Sequence, residues 1–180
     1  MVFYINNVRI RIYYSLLLII AFSMFIGNGN ILLVLLFSSL HECAHLAALI
    51  AFGEKPIEIN FAFYGIGLKH RSNLPFIKEL IFLLSGAFLN FILFFFNINR
   101  EINYPLAIIN IMPLYPLDGG RAVKLILNRT LGLFVSDNIF KAFSVIGYLA
   151  LLIFSIINRN ISLLLISVYI LIFSLNNSFE

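Results

Sequence analysis

Charge is what this sequence has least of. Its 180 residues include only 12 Lys and Arg and 8 Asp and Glu, or 11%, where soluble domains carry roughly a quarter. With 62% apolar residues and a mean hydropathy of +1.02, such a chain cannot cover a globular surface with polar groups, and a soluble fold is excluded. Cysteine is nearly absent as well: Cys43 stands alone, so no intrachain disulfide forms and redox compartment cannot be inferred. Internal repeats, low-complexity runs and hydrophilic linkers are missing, which predicts a single membrane domain over residues 1–180. The basic residues are scattered rather than gathered into a stripe, which argues against nucleic acid as a partner.

What is present is apolar length. Six runs approach the roughly 20 residues a helix needs to cross the hydrocarbon layer: about 12–27, 30–52, 76–97, 104–127, 138–157 and 161–175. The expected fold is therefore an all-α polytopic membrane protein with six transmembrane helices. Lys and Arg mark the cytoplasmic side, and placing both termini there leaves only Arg100 and Arg159 outside. The fourth run must be broken, because "NIMPLYPLDGGRAV", residues 110–123, carries two prolines and a glycine pair that a continuous helix does not tolerate. Irregular backbone at membrane depth survives only where protein buries it or where it lines a wet cavity. The segment "PIEINFAFYGIGLKH", residues 56–70, alternates with a period of two and predicts a short membrane-associated β-hairpin. "VRIRI", residues 8–12, alternates in the same way and is either a third strand or a lead-in to the first helix.

One apolar run contains a polar triplet. In "SSLHECAHLAAL", residues 38–49, His41 and His45 are four apart and share one helix face, close enough to hold one metal ion. Glu42 lies about 100° around the helix, within reach of a water at that ion without ligating it. This is the HExxH pattern of zinc hydrolysis, with the glutamate as general base. Cys43, two positions from each histidine, points away. A catalytic zinc normally has three protein ligands. All acids other than Glu42 and Asp118 fall in loops, at span ends or at the terminus, and His70 lies at the membrane edge, so elimination leaves Asp118. The alternative is a pair of hydrogen-bonded core histidines, with Asp118 paired to Arg121 or Lys124. Asn110 and Asn90 are the remaining polar side chains expected near the site, either positioning substrate and an oxyanion or bonding between helices. Gly119 and Gly120 are expected to let backbone approach the second helix closely.

"HECAH" followed by "NIMPLYPLDGG" resembles the site-2 protease family of intramembrane zinc metalloproteases, whose second signature has the form N-x-x-P-x-x-x-L-D-G. The resemblance implies one Zn²⁺ on His41, His45 and Asp118, with Glu42 as the base. The layout is most similar to the stage IV sporulation protein FB branch. That likeness implies a membrane-associated pro-sigma-K-like substrate, inhibitory membrane partners and a bacterial inner membrane, specifically the mother-cell membrane around the forespore. Relatives in that branch often carry a C-terminal nucleotide-sensing domain, which is not expected here. A third-span pattern G-P-x-x-N reads "SGAFLN" here, keeping Gly86 and Asn90 but with Ala87 for proline. The rival readings are a site-2 protease acting on another transmembrane protein, such as an anti-sigma factor, and a non-proteolytic metal-binding protein or transporter.

Overall fold

The computed structural model describes residues 1–5, 8–27, 29–62, 65–70, 74–159, 164 and 167–168. Four strands, β1 (Val2–Ile5), β2 (Val8–Ile12), β3 (Glu58–Ala62) and β4 (Gly65–Lys69), accompany six helices. The helices are α1 (Tyr14–Ile26), α2 (Gly29–Ala51), α3 (Phe76–Phe95), α4 (Arg100–Ile111), α5 (Asp118–Leu131) and α6 (Leu133–Ile157). The chain divides into two compact units, Met1–Ile109 and Asn110–Glu180.

Three helices, α2, α3 and α6, are long and apolar enough to cross a membrane. The expected count of six is not reached among the described residues. α1 has 13 residues, about 20 Å at 1.5 Å per residue and short of the roughly 30 Å hydrocarbon layer. It stops at Gly27, whose left-handed conformation (φ 69°) returns its N–H to the carbonyls of Ser23 and Met24. The run at 161–175 lies almost wholly outside the described residues. The fourth run is broken where its prolines fall, α4 ending at Ile111 and α5 beginning at Asp118.

The β structure is larger than the expected hairpin. "VRIRI" is indeed a strand, and β1, which no alternation announced, pairs with it, giving a four-stranded sheet in the order β1-β2-β3-β4. β2 and β3 run parallel, which requires the long crossover through α1 and α2, and the other two pairs are antiparallel. Arg9 stands opposite Glu58 and Arg11 opposite Asn60, so one face of the sheet is polar. That polar face is the buried one: Glu58, Asn60 and Ala62 are buried, while Ile59 and Phe61 are half-buried. Burial of Glu58 is offset by Arg9 at 3.6 Å and Arg11 at 3.7 Å. The Arg11 guanidinium, bonded to the Tyr13 hydroxyl and near Glu58, is held charged above its ordinary range.

The same inversion runs through the helices. Phe25 and Phe134 are 90% and 82% exposed, whereas His41, His45, Asn90, Asn103, Ser136 and Ser144 are buried. Apolar groups outside and polar groups inside are stable only where the solvent is itself apolar. This is a membrane protein.

Candidate metal centre

α2 turns one stripe toward the interior of the first unit: Phe37, His41, His45 and Leu49, spaced by fours. α3 does the same with Phe82, Gly86 and Asn90, and the two helices pack together. The polar triplet of α2 therefore meets a glycine and an amide.

The histidine rings are held by their Nδ1 atoms. His45 Nδ1 lies 2.7 Å from the Phe82 carbonyl oxygen, so this nitrogen carries the proton and donates it. Ser85 Oγ, 3.1 Å from the same nitrogen, donates to that carbonyl too, at 2.7 Å. His41 Nδ1 lies 3.2 Å from the side-chain amide of Asn90, which is wholly buried. Asn90 Oδ1 has no hydrogen-bond partner among the described residues. Amide oxygen and nitrogen are assigned from their bonding, and reversing this amide lets Oδ1 accept the His41 Nδ1 proton. Both imidazoles then carry their protons on Nδ1.

The two Nε2 atoms lie 3.2 Å apart. Nitrogens bound at 2.0–2.1 Å to one tetrahedral zinc stand about 3.3–3.4 Å apart, so the pair fits that ion. Gly86 supplies the space: a Cβ there would lie 2.5 Å from both Nε2 atoms, in the gap between the rings. Glu42, half-buried, completes a cluster whose candidate ligand atoms lie within 4.8 Å of one another. Cys43 is exposed.

No protein-family model matches the sequence. Among solved structures, a site-2 protease from Methanocaldococcus jannaschii superposes with a TM-score of 0.71 at 22% identity, covering 100% of this chain and 95% of that one. The fold is that of a site-2 protease. A zinc metalloprotease of the same archaeon is 28% identical over 187 aligned positions, 91% of this chain and 55% of the relative. The chain thus spans about half the length of that relative.

Within this site-2 protease fold, the other expected site residues belong to the second unit. Asn110 is half-buried in the last turn of α4, and Asp118 is the first residue of α5. The Asp118 side chain is 14% exposed and held loosely by Arg121 at 4.0 Å, while Lys124 pairs with Asp137 at 3.1 Å. The expected alternative of an Asp118–Lys124 pair is therefore displaced. The close approach at the glycine pair is to the chain's own broken stretch. A Cβ on Gly119 would meet the Ile111 carbonyl oxygen at 2.1 Å, and one on Gly120 the Leu114 carbonyl at 2.4 Å. Both glycines thus fold the loop back on α5 and fix the start of the helix.

Phe82, Ser85 and the role of Gly86 escaped the sequence reading. Ser85, Gly86 and Asn90 were legible as the small and polar interruptions of an otherwise apolar helix. The Phe82 carbonyl had no sequence signal, because a backbone acceptor can sit under any side chain.

Proposed function

We propose that this chain is an intramembrane zinc metalloprotease of the site-2 type, and the observation that carries the reading is the placing of the His41 and His45 Nε2 atoms 3.2 Å apart beside Gly86. His41, His45 and Asp118 would hold a zinc ion, and the chemistry it would supply there is Lewis acidity toward a water at neutral pH. Glu42, one residue from His41, accepts the proton from that water on its carboxylate and returns it to the leaving amine nitrogen of the cleaved peptide bond. Asn90 orients His41, and the Phe82 carbonyl with Ser85 orients His45. Asn110, at the end of α4, positions substrate or its oxyanion. Extended substrate adds to the sheet as a further strand along the β3–β4 hairpin, with main-chain hydrogen bonds holding it unwound.

The substrate class that follows is a membrane-tethered protein with a single span. A pro-sigma factor, processed in a mother-cell membrane during sporulation and subject to inhibitory membrane partners, rests on the similarity of the chain's layout to the sporulation branch alone. An anti-sigma factor fits the same chemistry. Co-expression with single-span precursors from the same genome, comparing wild type with Glu42→Gln, tests the reading. Cleavage by the wild type and none by Glu42→Gln is expected; equal cleavage by both removes Glu42 from the chemistry and the protease with it.

A further inference from the structure

Strand alternation gives the sheet two unlike faces. Opposite the face that buries Glu58 and Asn60, it presents Ile5, Val8, Ile10 and Ile59. Ile5 pairs with Val8 across β1 and β2, and Ile10 with Ile59 across β2 and β3, so this apolar wall is continuous. Leu46 and Ile50, four apart on α2, face it. α2 packs directly on β4, but toward β2 and β1 helix and sheet part around a cavity of about 490 Å³. That is the size of a small-ligand site. Ile5 and Ile50 on its two walls are each 58% exposed, so neither wall covers the other.

The rim of the cavity is charged. α2 ends at Ala51, Gly53 takes the left-handed conformation (φ 83°), and the Glu54 N–H returns to the Leu49 carbonyl at 3.1 Å. That turn sets Glu54, half-buried, and Lys55, exposed, side by side at the mouth. Among the described residues neither side chain has an ion pair or a hydrogen bond. The nearby cations are engaged elsewhere: Arg9 and Arg11 with Glu58 on the other face of the sheet, and Lys78 over the Phe52 ring at 5.5 Å. The last carbonyls of α2 add negative partial charge beside Glu54. An apolar slot thus opens between one anionic and one cationic spot. A bare fatty chain matches the slot and leaves both charges alone, and an anionic lipid matches Lys55 but is repelled by Glu54. A choline head carries the right charge but has no N–H to donate to a carboxylate. A phospholipid with a primary ammonium head fits all three features: its chain lies in the slot, Lys55 donates to its phosphate, and its ammonium donates to Glu54.

We propose that the cavity between α2 and the sheet binds one acyl chain of a phosphoethanolamine lipid whose head is read by Glu54 and Lys55. The inference does not depend on the hydrolytic reading, since no residue of the cavity is a proposed ligand or base. The intact protein, freed of lipid by detergent exchange and titrated in mixed micelles with dioleoyl phosphatidylethanolamine, tests it by native mass spectrometry. Phosphatidylglycerol and phosphatidylcholine with the same chains serve as comparators. One retained phosphatidylethanolamine per chain is expected, with the other two held about tenfold more weakly, the worth of one hydrogen bond to a charged group. Ile50→Trp, which fills the slot from an exposed helix position, should lose the retained lipid, and Glu54→Gln should lose the preference over phosphatidylglycerol. Glu54 lies in a surface turn, so its variant carries the test even where Ile50→Trp does not fold. Equal retention of the three lipids, wild-type retention by Ile50→Trp, or an unchanged preference in Glu54→Gln overturns the site. A structure in lipid nanodiscs that shows the gap filled by another stretch of this chain or by a second copy overturns it as well.

Discussion

A Cβ on Gly86 would stand 2.5 Å from His45 Nε2, in the gap that separates it from His41 Nε2. Glycine at this position keeps the space beside the two rings open, although α3 would gain stability from alanine there by propensity alone. Gly86→Ala is expected to yield a folded, monodisperse protein in detergent that retains no zinc, measured by elemental analysis. A zinc content equal to wild type would mean that the gap between the rings is not the metal position.

Asn90 on α3 meets His41 Nδ1 on α2, the interhelical bond that the sequence left open beside a substrate role, and it is expected to act through metal affinity. Asn90→Leu should weaken zinc binding by about 10- to 100-fold, the usual effect of removing a partner that orients a ligating histidine. Asn90→Asp keeps an acceptor at that position and should bind at least as tightly as wild type. Competition with a chromogenic chelator reads both.

Tyr148 and the Tyr115 carbonyl tie α6 to the broken stretch. Tyr148→Phe should lower stability by about 1 kcal/mol, the net worth of one such bond, seen as a drop in the detergent unfolding midpoint. Gly147→Leu, which drives a side chain into Leu114, should do more damage.

Among the described residues, Arg9 and Arg11 offset the charge of Glu58. Replacing both arginines by alanine removes the ion pairs of a buried carboxylate and should lower the unfolding midpoint. Adding Glu58→Gln to that background should recover part of the loss. Thermal unfolding of the three variants measures the cycle.

Much of this was legible in the sequence. His41, Glu42 and His45 stood out because polar side chains in an apolar helix are expensive, and Pro113, Pro116 and the glycine pair announced the break between α4 and α5. β1 was not legible: Val2–Ile5 is wholly apolar apart from Tyr4, and its strand character depends on pairing with β2. The length of α1 was overestimated because hydropathy continues through residues that the left-handed turn at Gly27 and the strand at Ile12 take out of the helix.

The zinc ion proposed on His41, His45 and Asp118 is tested by metal content. The most direct measurement is the zinc content per chain of purified wild type, Glu42→Gln, His41→Ala and Asp118→Ala, each prepared in detergent without added metal. One zinc per chain is expected in wild type and in Glu42→Gln, with loss in His41→Ala and Asp118→Ala. Metal-free wild type, or zinc retained undiminished without His41 and without Asp118, would contradict the account.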